Sequence, residues 1–276
     1  MKPRPLCAPA VGLLIFAASA VTYANSVGVY RTELNIPYCA VDGRTQTLNA
    51  FLPVNVQGPV PAMVEIHGGW WSGGAAASKP QGVDGWQIFM RHNLAIFSIR
   101  YRLGKEGGFP ENIRDCRNAI RFIRKNALEF NIDPNRIDVC GGSAGGHLSL
   151  MVAMVPEDFD DGGPTAGLAG ISAKVSGSFS YIPPTDFLRF WSHSDTTIGS
   201  VESQRRLRVL FHGIIPDTAA HKVLYNEMSP IGYVRKDVPP LLICDGEKDP
   251  IVPGLEGKDA GMMSTYIKKK AAYVFK

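Results

Sequence analysis

A short apolar segment, 137–140, runs directly into the turn Gly141-Gly142-Ser143-Ala144-Gly145-Gly146, and a second apolar stretch, 147–155, follows it. A strand that becomes a helix without a linker forces a strained backbone, where glycines avoid the clashes that a Cβ atom would cause. The order predicts a strand, a tight turn that lifts the hydroxyl of Ser143 clear of a sheet, and a helix whose N-terminus favours negative charge. A glycine-rich turn with a purely structural role is the alternative. A phosphate-binding loop is disfavoured, because no Lys-Ser or Lys-Thr pair follows.

The rest of the chain alternates apolar segments of strand length with helical patterns. Apolar residues spaced by three or four positions from Ile113 to Ala127 predict an amphipathic helix, with arginine and lysine side chains on its other face. Asp42-Gly43 predicts a hairpin between the first two strands. Buried strands that alternate with helices indicate an α/β fold, with a mostly parallel central sheet and helices on both faces. The predicted strands are 28–38, 45–54, 60–66, 94–101, 137–140, 171–178 and 240–244.

Residues 1–24 have the order of a secretory signal peptide. Lys2 and Arg4 precede an uncharged apolar stretch, and small residues follow in two A-x-A-like arrangements that end at Ala20 and Ala24. A transmembrane anchor is the alternative, but the apolar run is short for a bilayer span. We therefore expect a secreted or periplasmic protein without stable membrane insertion.

Charge excludes one class of partner and leaves others open. Removal of residues 1–24 takes two of the 29 basic residues and none of the 25 acidic ones, which lowers the net charge from +4 to +2. No clustered basic face accompanies this small excess, so we expect no nucleic-acid partner. The oligomeric state stays open.

The cysteines indicate neither a metal site nor a disulfide framework. Cys116, Cys140 and Cys244 lie in apolar helix or strand patterns, and no zinc-like Cys or His spacing occurs. Buried free thiols are the interpretation we prefer. A bridge that involves Cys39 stays open, and no metal or cofactor is expected.

A second candidate segment, His67-Gly68-Gly69-Trp70-Trp71, follows the apolar run 60–66. The backbone N–H groups of such glycines can approach a tetrahedral oxyanion, with the N–H of Ala144 as a further donor. His67 is interpreted as a residue that fixes this loop by hydrogen bonding, since a base must approach the serine from another side. Trp70 is predicted to line the substrate cleft, whereas for Trp71 ordinary packing is as good an interpretation.

A third candidate segment, 245–250, follows the strand that ends at Cys244. An acid that orients a histidine belongs in a loop at the carboxyl end of a strand. Asp249 is the predicted acid, because Asp245 is too close to the strand and Glu247 is expected to face solvent. A turn formed by Asp249-Pro250 is the structural alternative.

From about Leu48 to its end, the sequence resembles the α/β-hydrolases of the hormone-sensitive-lipase-like and acetyl- or feruloyl-esterase-like groups. The resemblance implies a secreted serine carboxylesterase, with Ser143 as nucleophile, Asp249 as triad acid, and Gly68, Gly69 and Ala144 as oxyanion donors. Its substrates would be small or polysaccharide-linked esters, such as acetyl or feruloyl esters of plant polysaccharides. The segments that carry it are His67–Trp71, Ser98–Leu103, Phe109–Ala127, Asp133–Leu148, Ser229–Val234 and Pro239–Pro253.

The family also has a histidine after the acid, and here the sequence departs from the pattern. All six histidines precede Asp249, although the chain order of this triad is Ser, Asp, His. We expect a truncated or frameshifted sequence. A replacement base from His193, His212 or His221 is the second explanation, and His147 is a poor candidate because it points along its helix. A catalytically impaired relative that binds esters or glycans is the third.

Residues 179–235 are aromatic, proline-bearing and irregular. They are interpreted as a small insertion near the active-site side of the sheet, with a plain pair of packing helices as the alternative. The predicted organisation is a signal peptide, 1–24, and a single α/β-hydrolase domain, 25–276. A peptidase on the same fold is a weaker enzymatic alternative, because nothing resembles the large N-terminal propeller that many such peptidases carry.

Overall fold

A computed structural model describes residues 21–25, 28–79, 86–159, 165, 167–193 and 200–245. Its strands form one mixed sheet in the order β1-β2-β3-β5-β4-β6-β7-β8. The pairs from β1 to β3 and the β3–β5 pair are antiparallel, and the pairs from β5 through β4, β6 and β7 to β8 are parallel. The strands are β1 (Val21–Asn25), β2 (Gly28–Val41), β3 (Arg44–Pro53), β4 (Val60–Ile66), β5 (Ala95–Ile99), β6 (Ile132–Gly142), β7 (Ser178–Tyr181) and β8 (Leu241–Cys244).

Helices follow most of the parallel strands, as the alternating pattern predicts. They are α1 (Trp86–Arg91), α2 (Glu111–Lys125), α3 (Ala144–Met154), α4 (Phe187–His193), α5 (Ser200–Leu210) and α6 (Ala219–Glu227). The β2–β3 hairpin turns at Asp42 and Gly43, with φ values of 50° and 74°. Two left-handed residues give the turn whose twist matches its strands, so the predicted hairpin is confirmed.

Helix α2 places its apolar stripe in the core, and part of its arginine-bearing face is buried as well. Arg117 and Arg121 are buried, because their guanidinium groups bond to main-chain carbonyls of the neighbouring segments. Arg121 Nε donates to the carbonyl of Ile171 at 3.1 Å, and Arg124 donates to those of Ser172 and Lys174. Arginine stems can be covered while their charged ends stay hydrogen-bonded.

The same arginines explain why the predicted strand 171–178 is wrong in its position. Strand β7 covers Ser178–Tyr181 instead. The carbonyls of residues 171, 172 and 174 accept hydrogen bonds from α2, so they do not join the ladder with a neighbouring strand. The predicted insertion 179–235 therefore begins inside the sheet, and helices α4 to α6 follow that strand before β8.

Two further boundaries differ from the sequence pattern. Helix α3 begins at Ala144, immediately after Ser143, and not at residue 147. The glycines there have low helix propensity, but the close approach of β4 requires them. Strand β6 begins at Ile132, because Val60 pairs with Ile132 before a register irregularity.

The four described cysteines are free thiols, and Cys39, Cys116 and Cys140 are buried. Burial raises the pKa of the Cys39 thiol to about 12. Burial also raises the pKa of Cys116 and Cys140 well above the usual thiol value. Thiols in this state are inert. The preferred interpretation is confirmed for Cys116 and Cys140, whereas Cys244 is a free thiol that is only half-buried. Among the described helices, none is long and apolar enough to cross a membrane.

Glu65 on β4 gives a pH-dependent stability that can be measured. It is buried, it accepts a hydrogen bond from Ser98 Oγ at 2.5 Å, and burial raises its pKa to about 7. The folded chain therefore holds a proton that the unfolded chain has already lost, and stability falls as pH rises from about 4.5 to about 7. We expect Glu65→Gln to raise the free energy of unfolding by up to about 3 kcal/mol at pH 8 and by little at pH 4.

Urea unfolding at several pH values measures this difference. Glu129 is exposed, so Glu129→Gln is the matched control and should follow the wild-type curve. A difference in the free energy of unfolding between wild type and Glu65→Gln that stays constant across the pH range would contradict a raised pKa for Glu65.

Candidate active site

Ser143 lies at the junction of β6 and α3 in a conformation that few side chains adopt. Its φ is 55° and its ψ is −121°, which places it among the sparsely populated backbone conformations that cost about 1–3 kcal/mol. Its N–H donates to the carbonyl of Tyr181 at 2.8 Å, and its carbonyl accepts from the N–H of His147 at 2.9 Å. These two bonds hold the serine between the ends of two strands and the first turn of α3.

The glycines around Ser143 are required by the close approach of β4. A Cβ atom on Gly145 would lie 1.9 Å from the carbonyl oxygen of Ile66, and one on Gly141 would lie 2.5 Å from the same oxygen. A Cβ atom on Gly68 would lie 2.8 Å from the carbonyl oxygen of Gly142 and 3.7 Å from Cβ of Ser143. The structure thus brings the two glycine-rich segments into direct contact.

The segment 67–74, which we call the glycine loop, turns tightly, and several of its residues have a left-handed backbone conformation. Gly69, Trp70, Trp71 and Gly74 have φ values of 117°, 56°, 54° and 94°. The carbonyl of Gly69 accepts from the N–H groups of Ser72 at 3.1 Å and Gly73 at 2.9 Å. The loop turns back on itself, and its first glycine lies beside the serine.

The predicted oxyanion donors have N–H groups that are free to act. Within the described residues, no main-chain hydrogen bond uses the N–H of Gly68 or Gly69. Ala144 is the first residue of α3, and the N–H at that position has no acceptor within its own helix. A negative oxygen at Ser143 would also be favoured by the positive end of the α3 dipole.

The two tryptophans of the glycine loop have different environments. Trp71 is 2% exposed, and its ring packs against those of His147 and Phe187. Trp70 is half-buried and stacks on Phe190 of α4, with ring centroids 5.8 Å apart. Packing is therefore the role of Trp71, whereas the ring of Trp70 stays partly exposed. Arg206 of α5 also reaches the loop, where it donates to Ser72 Oγ at 2.7 Å.

His67 is arranged to hold the loop. Its Nδ1 lies 2.8 Å from the carbonyl oxygen of Gly68, its ring stacks on Tyr101 at 4.5 Å, and Tyr101 Oη donates to its carbonyl at 2.8 Å. Burial lowers the pKa of His67 below its usual value. The ring is therefore neutral and serves as a local anchor.

His147 is fully buried one helical turn after Ser143. Trp71 Nε1 donates to its Nδ1 at 3.2 Å, and its Nε2 lies 2.9 Å from the carbonyl oxygen of Met228. Burial lowers its pKa to about 3. Both ring nitrogens are engaged, so His147 has no free nitrogen with which to take a proton from Ser143.

The other candidate bases are not brought to the serine by any described contact. His212 Nε2 lies 3.5 Å from Glu111 Oε2, and His221 Nδ1 lies 2.6 Å from Asp217 Oδ1. His193 ends α4, and its side chain is outside the described part. In the portion of the chain that the structure describes, no side chain hydrogen-bonds to Ser143 Oγ.

Asp249 lies outside the described residues, so its assignment as the acid stays a prediction. Asp245, directly after β8, is the last described residue and is half-buried. The described residues contain no group of three or more His, Cys, Asp or Glu side chains that could hold a metal ion.

Sequence reasoning missed the contact between Trp71 and His147. It treated the ring of His147 only as a candidate base and that of Trp71 as either lining or packing. The signal that could have found the pair is chemical, since a tryptophan in an apolar setting needs an acceptor for its indole N–H.

Comparisons with known proteins agree with this geometry. The BD-FAE family model matches residues 48–260. Carboxylesterase NlhH of Mycobacterium tuberculosis is 26% identical over 264 residues, which cover 83% of this chain and 74% of NlhH. Esterase LipQ of the same organism is 25% identical over 72% of this chain, but the chain spans only 44% of LipQ.

Solved structures share the fold. A truncated carbohydrate esterase from gut microbiota superposes with a TM-score of 0.65 at 24% identity, over 87% of this chain and 84% of that one. Butyrate-bound esterase Est2 of Thermogutta terrifontis superposes with a TM-score of 0.62 at 24% identity, over 85% of this chain and 78% of Est2. The family match, which spans most of the chain, and these superpositions give one conclusion: the chain belongs to the BD-FAE family and has the α/β-hydrolase fold.

Proposed function

We propose that the chain is a carboxylic ester hydrolase that acts through an acyl-enzyme on Ser143. The observation that carries this proposal is the strained turn at Ser143, set at the N-terminus of α3 and in contact with the glycine loop. Strain of this kind persists only where surrounding contacts hold it, and it is common at reactive residues. The names of carboxylesterase NlhH and esterase LipQ support the same class of reaction.

In the proposed reaction, Ser143 Oγ attacks the ester carbonyl and its proton passes to a base. The oxyanion that forms is stabilised by the N–H groups of Gly68, Gly69 and Ala144. Collapse of the tetrahedral intermediate breaks the ester C–O bond, and the base returns the proton to the leaving alcohol. Water then attacks the acyl-enzyme in the same way and releases the acid and the serine. Asp249 is proposed to orient the base.

We further propose acyl esters of saccharides, such as acetyl or feruloyl esters of plant polysaccharides, as substrates. The carbohydrate esterase from gut microbiota, which shares this fold, is consistent with this choice. Trp70 supports it as well, because a half-buried aromatic ring beside the glycine loop offers a flat apolar face on which the CH groups of a sugar can pack.

Comparison of matched substrates tests the proposal. Purified protein is expected to hydrolyse p-nitrophenyl acetate, and acetylated xylo-oligosaccharides more efficiently, but not p-nitroacetanilide. Faster cleavage of the anilide would favour a peptidase or amidase. A Trp70→Ala variant is expected to raise KM for the oligosaccharide about tenfold and to change p-nitrophenyl acetate hydrolysis little. Equal effects on both substrates would contradict sugar packing on Trp70.

A binding protein on the same fold is the second candidate. It is favoured by one observation, that no described side chain hydrogen-bonds to Ser143 Oγ. Retained affinity for acetylated oligosaccharides, with ester release no faster than in buffer and no effect of Ser143→Ala, would establish it.

We also propose export, on the pattern of residues 1–24. N-terminal sequencing of protein from the medium or periplasm tests this directly. Cleavage after Ala20 would retain β1, which begins at Val21, whereas an intact Met1 would contradict export.

A further inference from the structure

We propose that His147 is a positioning residue for the reaction at Ser143, and that it acts by holding Trp71 and, through Trp71, the glycine loop at a fixed distance from the serine. The inference rests on the proposed function. It assigns to a buried histidine a role that is neither that of a base nor that of a filler of the core.

The bonding of the two rings permits only one arrangement. The indole nitrogen of Trp71 can only donate, so Nδ1 of His147 must be an acceptor without a proton. The proton then lies on Nε2, which donates to the carbonyl oxygen of Met228. Every hydrogen-bonding atom of the imidazole is used, and a protonated ring would direct an N–H at the indole N–H. The contact therefore fixes both the tautomer and the orientation of the ring.

The position of His147 lets one residue contact both halves of the site. Its backbone N–H donates to the carbonyl of Ser143 at 2.9 Å, while its side chain holds Trp71, two residues beyond Gly69. The Met228 carbonyl, directly after α6, is the third point of attachment. The serine turn, the glycine loop and the helical segment before β8 therefore meet at this ring.

The glycine loop needs such a support. Trp71 has a φ of 54°, which is an uncommon conformation for a bulky residue, and its ring is 2% exposed. An indole N–H buried without an acceptor would cost free energy. His147 supplies the acceptor, and the same bond stabilises the left-handed backbone that turns the loop beside Ser143. Phe187, whose ring centroid is 4.8 Å from that of His147, completes the packing.

Three substitutions separate the hydrogen bonds from the packing. His147→Leu removes both bonds, Trp71→Phe removes only the donor, and His147→Gln keeps an acceptor and a donor on one planar group. We expect kcat for p-nitrophenyl acetate to fall about tenfold or more in the first two, with KM changed less than about threefold, because small misplacements of donors act on the transition state. His147→Gln should recover most of kcat with an unchanged pH profile.

Tyr225→Phe is the matched control. Tyr225 lies in α6, and the variant removes a hydroxyl that donates to the carbonyl of Ile214 and makes no described hydrogen bond to the glycine loop. The kcat of this variant should therefore equal that of the wild type. Unchanged kcat in His147→Leu, or equal losses in His147→Leu and His147→Gln, would overturn the proposal.

A second measurement does not depend on activity. Hydrogen exchange at the amides of Ser72 and Gly73, both of which donate to Gly69, should accelerate about tenfold in His147→Leu and Trp71→Phe but not in His147→Gln. The same exchange measurement in a Ser143→Ala background, which lacks the proposed nucleophile, tests the positioning role separately from the proposed function. Absence of Ser143-dependent hydrolysis with the expected exchange pattern would reject only the proposed function, whereas wild-type exchange in His147→Leu would reject the positioning role.

Discussion

Ser143→Ala is expected to lower protein-dependent hydrolysis of p-nitrophenyl acetate by about 10²-fold or more. The hydroxyl is the proposed nucleophile, and the oxyanion donors without it leave only a small residual rate enhancement. Ser176→Ala is the matched control, because its hydroxyl is exposed and donates to the carbonyl of Asn135, away from Ser143. An equal rate in Ser143→Ala and wild type would remove Ser143 from the mechanism.

The assay should be run with and without imidazole, because no described side chain hydrogen-bonds to Ser143 Oγ. Added imidazole can take the proton where a side-chain base is missing. A Ser143-dependent rate that appears only with imidazole would show that nucleophile and oxyanion donors are formed without a base. A Ser143-dependent rate without imidazole would direct the search for a base to His193, His212 and His221.

Gly145→Ala is expected to have the largest effect on folding. The new Cβ atom would lie 1.9 Å from the carbonyl oxygen of Ile66 and 2.8 Å from the main chain of His67. Both neighbours are backbone atoms of a central strand and its exit, which cannot move away without breaking the β4–β6 pairing. We expect a loss of about 4 kcal/mol or more in the free energy of unfolding, which is the range of severe core defects.

Chemical denaturation of Gly145→Ala beside Gly232→Ala measures this effect. A Cβ atom on Gly232 would meet only the carbonyl oxygen of Asn226 at 3.5 Å, so that variant should stay within about 1 kcal/mol of wild type. Wild-type stability in Gly145→Ala would mean that β4 and α3 are farther apart than described here.

The sequence predicted the parts of this fold that depend on local chemistry. The hairpin at Asp42-Gly43, the apolar stripe of α2 and the strand–turn–helix at Ser143 each follow from residue types over a few positions. The contact of Gly68 with the serine turn also follows, because adjacent parallel strands end at the same edge of a sheet.

The errors arise where distant side chains decide the outcome. No local pattern predicts that Arg121 and Arg124 donate hydrogen bonds to the carbonyls of residues 171, 172 and 174. Without that information the segment has the pattern of a strand. Likewise, the bond between Trp71 and His147 joins residues that are far apart in the chain. Both cases are long-range hydrogen bonds from buried polar groups, for which single-sequence periodicity carries no signal.

Mass spectrometry of the acyl-enzyme tests the central claim most directly. Wild type and Ser143→Ala would be incubated with p-nitrophenyl acetate and imidazole, quenched in acid and digested. We predict one acetyl group on the peptide that contains Ser143, present in wild type during turnover and absent from the variant. Acetylation confined to lysines, and equal in both proteins, would contradict a covalent role for Ser143.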